Sequence, residues 1–128
     1  MLNRLKHLDN LDIFLVSSAI VTGVIHAYLG LIHFLQVQNI SFLGLAGLGF
    51  LAGAGIFLLE KYQNALVAAS IPYTGVQFVF YYQAYGFGFN LLSLIDKAVQ
   101  AVFILAGIYF LKENYYSSQS VKEFLGQR

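Results

Sequence analysis

Residues Ile13–Leu35 read IFLVSSAIVTGVIHAYLGLIHFL, 23 positions without a single Lys, Arg, Asp or Glu. As a helix rising about 1.5 Å per residue, such a run is long enough to cross the roughly 30 Å hydrocarbon core of a bilayer. Three further apolar runs follow, Phe42–Leu59, Ala65–Gln83 and Leu92–Leu111, interrupted by charge only at Asp96 and Lys97. They are apolar on every side, whereas barrel strands alternate apolar and polar positions over roughly ten residues, so the pattern excludes a transmembrane β-barrel. The expectation is an all-α chain, an integral membrane antiparallel four-helix bundle forming one domain over residues 1–128. Arg4 and Lys6 precede the first run, but 23 residues exceeds the roughly 7–15 of a signal-peptide core, and no small-x-small cleavage site follows Leu35. The run is expected to stay in the mature protein.

Composition agrees with this reading. The chain has 128 residues, 59% of them hydrophobic and 10% charged, against roughly 45–50% and about 25% in ordinary soluble domains. Seven Lys and Arg with six Asp and Glu are too few to coat a globule in water. A net charge of +1 lacks the basic excess of a nucleic-acid footprint. With no cysteine there is no disulfide, thiolate metal site, iron–sulfur cluster or cysteine nucleophile.

Short connections at 36–41, 60–64 and 84–90 make successive helices antiparallel neighbours. Arg4, Lys6, Lys61, Lys112, Lys122 and Arg128 all fall on the side that holds both termini and the middle connection. By the positive-inside rule that side is the cytoplasm, which gives a multi-pass protein of the cell membrane with both termini inside. Leu2, Leu5, Leu8 and Leu11, spaced among Asn3, Arg4, Lys6, His7 and Asp9, suggest a short amphipathic helix lying in the inner interface. Residues 112–128 form a cytoplasmic tail, in which Ser120 and Glu123 have capping-box spacing compatible with one short turn or with a frayed end.

Polar side chains inside the spans need partners, because lipid offers none. Counted at about 1.5 Å per residue, His26, Gln77 and Gln100 fall within about 2 Å of one depth on three different helices. Asp96 shares a helix face with Gln100 at i,i+4 and lies one turn further out, where Tyr28 and Tyr81 can also point. His26, Gln77, Asp96 and Gln100 therefore form the candidate polar layer, which either holds the bundle together or binds a proton, ion or small solute. Lys97 is expected to snorkel toward the outer headgroups, since it points about 100° away from Asp96. Gly44, Gly47, Gly49 and Gly53, with Gly55 behind them, line the second run. The small-xxx-small spacing from Gly49 to Gly53 suits close helix packing, within the bundle or toward a homo-oligomer or a larger membrane complex. Pro72 should kink the third span, with Ser70 and Thr74 placed to help satisfy freed backbone groups. The aromatic stretch from Phe78 to Phe89 reads as an interfacial belt.

No cofactor is expected. His26 and His33 share one face of the first helix, but a dihistidine haem needs ligands from opposite sides, and the only other histidine is His7. A zinc site needs three or four converging ligands, which the staggered depths of His26, His33 and Asp96 do not supply. No nucleophile with a matched base, HExxH, phosphate loop or dinucleotide fingerprint occurs, so nothing supports an enzyme.

Four ordered motifs carry a family likeness: Val21-Thr-Gly-Val-Ile-His26-Ala-Tyr-Leu-Gly30, Leu45-Ala-Gly-Leu-Gly-Phe-Leu-Ala-Gly53, Ile71-Pro-Tyr-Thr-Gly-Val-Gln77 and Ile95-Asp-Lys-Ala-Val-Gln100. Together they resemble a functionally unassigned family of small four-span membrane proteins from halophilic archaea. The resemblance implies the same pairing of a first-helix His with a third-helix Pro and Gln and a fourth-helix Asp-Lys, and it implies no reaction. His33 and the tail after Lys112 lie outside that pattern. The expected function is that of a non-enzymatic multi-pass membrane protein. The competing readings are a small transporter or channel-like protein, an assembly subunit, and a haem or quinone redox protein.

Overall fold

The computed structural model describes residues 9–38, 42–59, 62–85 and 91–117. They form four helices, α1 (Asn10–Val37), α2 (Phe42–Leu58), α3 (Gln63–Tyr85) and α4 (Leu91–Ser117), with no strand among the described residues. The protein is all-α. Two helices, α1 over Asn10–Gln36 and α4 over Leu91–Asn114, are long and apolar enough to cross a membrane, and α2 is a shorter apolar helix.

The ends of α1 are set by local chemistry. Asp9 is its N-cap: the Asp12 amide donates to Asp9 Oδ1 at 2.8 Å and the Asp9 amide to Asp12 Oδ2 at 3.3 Å. This reciprocal capping satisfies two of the orphan donors of the first turn and puts carboxylates at the positive end of the helix dipole. The helix therefore starts three residues before the apolar run at Ile13. It stops at Gln38, which adopts a left-handed conformation (φ 55°) and returns its amide to the Phe34 carbonyl at 2.8 Å. Gln63 at the start of α3 donates to the last turn of α2, Nε2 to the Phe57 carbonyl at 3.1 Å, which ties that connection shut.

At its far end α4 runs to Ser117, so the first residues of the expected tail continue the helix. Lys112 and Glu113 are good helix formers, and Asn114 Nδ2 bonds the Phe110 carbonyl one turn back at 2.8 Å. The amphipathic stretch before Leu8, the Ser120–Glu123 turn and the aromatic residues Phe87 and Phe89 lie outside the described residues.

Packing is uneven around the bundle. α1 lies closely along α2, α4 docks on both α1 and α3, and the α2–α3 seam is the loosest of the four. The tight α1–α2 crossing rests on Gly23 and Gly47. A Cβ at Gly47 would stand 2.5 Å from the Ala27 amide nitrogen and 2.7 Å from the Gly23 carbonyl, closer than any side chain can sit against backbone. Gly49 instead faces α3, where its missing side chain lets the Tyr73 hydroxyl reach the Ala46 carbonyl at 2.9 Å. Gly53 and Gly55 would meet nothing within 4 Å, so Gly53 does not share the close contact made by Gly49. The two are four residues apart on one face, but the loose α2–α3 seam falls away at Gly53.

The core is short and aromatic. Phe50 stacks edge-on with Tyr73 (5.3 Å between centroids) and Phe103 (5.9 Å), and Phe57 meets Phe110 at 5.8 Å. Along the α2–α3 seam these rings leave a cavity of about 220 Å³ whose wall is almost wholly apolar. α3 continues as one helix through Pro72. The acceptor that Pro72 frees is the Ala68 carbonyl, but Ser70 and Thr74 send their hydroxyls to the Val67 and Ser70 carbonyls, both at 2.7 Å.

Candidate functional site

A buried charged centre lies within the apolar bundle, and α4 organises it. Asp96 and Gln100 sit one turn apart on the face that α4 presents to α1 and α3, and both are buried, at 3% and 0% exposure. From α1, Thr22 and His26, again one turn apart, reach the two oxygens of the same carboxylate. Thr22 Oγ1 donates to Asp96 Oδ1 at 2.5 Å and His26 Nε2 stands 2.7 Å from Asp96 Oδ2. His26 itself is 1% exposed.

Lys97 turns inward rather than outward to headgroups. Its ammonium donates to Gln100 Oε1 at 2.9 Å, lies 3.7 Å from Asp96 Oδ2 and sits 5.1 Å above the centre of the Phe78 ring. The i,i+3 spacing brings Lys97 over Gln100, and the flexible four-carbon stem offsets the 100° between adjacent residues that argued against this pairing. An ammonium with acceptors and a ring face within reach needs no headgroup phosphate.

Donor and acceptor chemistry fixes the direction of the bonds. Lys has no acceptor, so Gln100 must present its oxygen to Lys97 and its amide nitrogen to α3, where Nε2 donates to Gln77 Oε1 at 2.8 Å. When Asp96 is ionised, His26 carries its proton on Nε2 and donates to the carboxylate. The 3.5 Å approach of Gln100 Nε2 to His26 Nε2 then joins two donors and is a contact rather than a bond. Two atoms of the network remain buried and without partners, His26 Nδ1 as an acceptor and Gln77 Nε2 as a donor.

All four residues of the candidate layer, His26, Gln77, Asp96 and Gln100, are thus in contact across three helices. Tyr28 is 56% exposed and stands outside the network, His33 is exposed, and the Tyr81 side chain lies outside the described residues. Thr22 belongs to the network but was not among the residues expected there. Its signal was its position one turn before His26. No group of three or more His, Cys, Asp or Glu side chains able to hold a metal occurs among the described residues.

The model of a family of unknown function, DUF7475, matches residues 6–111. The chain belongs to this family. The match covers all four helices and ends at Leu111, before the last turns of α4. No curated protein and no solved structure matches the chain.

Proposed function

We infer that this member of the family is a four-span integral membrane protein of the cell membrane, one domain with both termini in the cytoplasm and no enzymatic activity. In this reading the Asp96 network is a proton-binding centre. The spans take in α1, α2, α3 and α4 over 13–35, 42–59, 65–83 and 92–111. Support for insertion comes from the outward faces, where large apolar side chains such as Leu35 (63%) and Leu105 (67%) stand exposed. Water would oppose such a surface and lipid would solvate it. The orientation rests on the Lys and Arg distribution, and with its ammonium engaged by Gln100, Lys97 no longer counts as a charge on the outer side.

The observation that carries the function is the close His26–Asp96 pair, 2.7 Å apart and almost fully buried, with Lys97 beside it. An acid, a base and a cation in an apolar interior are costly unless they serve one another, and an intramembrane ionisable cluster is by default a functional site. His26 Nδ1 is the open position at which a proton can be received. Infrared difference spectra of the protein in lipid vesicles, recorded across a pH titration, test this. The predicted result is a histidine ring signal that appears on acidification together with a shift of the Asp96 carboxylate band, the latter absent in Asp96→Asn. Identical spectra for wild type and variant contradict it.

The same bonds also favour a structural role, because Thr22 and His26 tie α4 to α1 and Gln77 ties it to α3. A transporter would need polar groups along more of the bundle axis than this one cluster. As for partners, α1 occupies Gly47 and Tyr73 occupies Gly49, which leaves Gly53 and Gly55 as the part of the glycine face open to a second copy or another membrane subunit.

A further inference from the structure

At the opposite end of the interior from Asp96 lies a side chain that nothing described so far uses. Asn64, in the first turn of α3, is 1% exposed, and neither Nδ2 nor Oδ1 has a hydrogen-bond partner. Leaving a buried amide donor and acceptor without partners forfeits the hydrogen bonds each makes with water in the unfolded chain. Native interiors meet that cost with ordered water wherever polar groups converge.

Helix register shows what converges on Asn64. Its neighbour Gln63 bonds the Phe57 carbonyl, and Phe57 stacks on Phe110, which places Asn64 at the level of Phe110 on α4. On the other side of α4, Thr22 and His26 straddle Asp96. Phe110 is 14 residues, or about 21 Å, further along α4. The antiparallel α1 therefore reaches the same level near residues 10–12, where Asp12 is buried. Asn114 adds a third polar group one turn on. Two helices thus bring Asp12 and Asn64 to the level of Phe110, with Asn114 one turn beyond on α4.

We propose that Asn64 and Asp12 form a second polar site, occupied by ordered water, so that the bundle interior is wet at its inner end and dry in the middle. One water accepts from Asn64 Nδ2, and a second donates to Asn64 Oδ1 and to the Asp12 carboxylate. Between this site and the Asp96 network lies the cavity bounded by Leu15, Phe50, Phe57 and Phe103. The buried side chains of Leu15, Phe50, Phe57 and Phe103 offer water no hydrogen-bond partner and so separate the two ends. The site stands on burial and register alone, and only its assignment to the cytoplasmic side rests on the topology proposed above.

Magnetisation transfer from water in solid-state NMR of the full, isotope-labelled chain in lipid vesicles tests this, with water itself as the probe. The predicted result is rapid transfer to the Asn64 side-chain amide and to Asp12, and none to Val67 or Phe103. In Asn64→Leu the transfer to Asp12 is lost, and in Asn64→Ser, which keeps a hydroxyl, it persists. No transfer to Asn64 in the wild type overturns the proposal. So does equal transfer to Val67 and Phe103, which would make the whole interior wet, or an Asp12 signal unchanged in Asn64→Leu. Gln100 in the same spectra reports separately on the Asp96 network, so failure of either site is read independently.

Discussion

At Asp96 two helices and two charges meet on one carboxylate, and substitutions there separate shape from charge. In Asp96→Asn the new oxygen accepts from His26, the Thr22 hydroxyl rotates to accept from the new amide, and the fold survives. Lys97 loses its counter-charge, and the expected loss is about 1.5–3 kcal/mol, the worth of hydrogen bonding to a charged group. Adding Lys97→Met to that background should recover part of it, since no cation lacking a counter-charge then remains. Asp96→Leu leaves Thr22 and His26 without their acceptor and Lys97 without its counter-charge, with an expected cost of about 3–5 kcal/mol. Thermal unfolding in detergent orders the four proteins, and equal melting of Asn and Leu variants would place Asp96 outside the interior. The cluster itself was largely legible from depth counting, since His26, Gln77, Asp96 and Gln100 occupy one level on three helices. Thr22 was not, because a threonine in an apolar helix ordinarily bonds its own backbone. The direction of Lys97 also escaped, because adjacency on the helix gave the wrong geometry for a side chain that long. In the sequence Asn64 falls in a connection and Asp12 before the first apolar run, so neither stands out as interior.

Glycines and caps decide how the elements sit. Gly47→Ala should force α1 and α2 apart, at a cost of about 1–3 kcal/mol for overpacking against backbone. Gly53→Ala puts a methyl into open space and gains helix propensity of up to about 1 kcal/mol. Detergent melting of the pair distinguishes a crossing at Gly23–Gly47 from one centred on the Gly49–Gly53 spacing, which requires Gly53→Ala to be disruptive. The glycine-rich character of α2 could be read from the sequence. Which glycines touch a neighbour could not, because that depends on where Gly23 of α1 crosses. At the start of α1, Asp9→Ala removes the cap and should cost about 0.5–2 kcal/mol. Hydrogen exchange should then accelerate at the Asp12 and Ile13 amides and leave the middle of α1 protected. The apolar runs located all four helices to within a few residues, and the differences at Asn10 and Ser117 come from capping and helix propensity, which apolar runs do not encode.

For the whole molecule, everything proposed about the Asp96 centre presumes that lipid surrounds these helices. Two of them are long and apolar enough to cross a membrane, and in the proposed topology every cation outside the network falls on one side. The chain has no cysteine, so single cysteines can be introduced without background. The most direct measurement is labelling of Gly88→Cys and Ser120→Cys in intact cells with a membrane-impermeant thiol reagent. The account predicts that Gly88→Cys is labelled from outside and Ser120→Cys only after permeabilisation. Labelling of both from the same side, or release of the protein from membranes by alkaline carbonate, would contradict it.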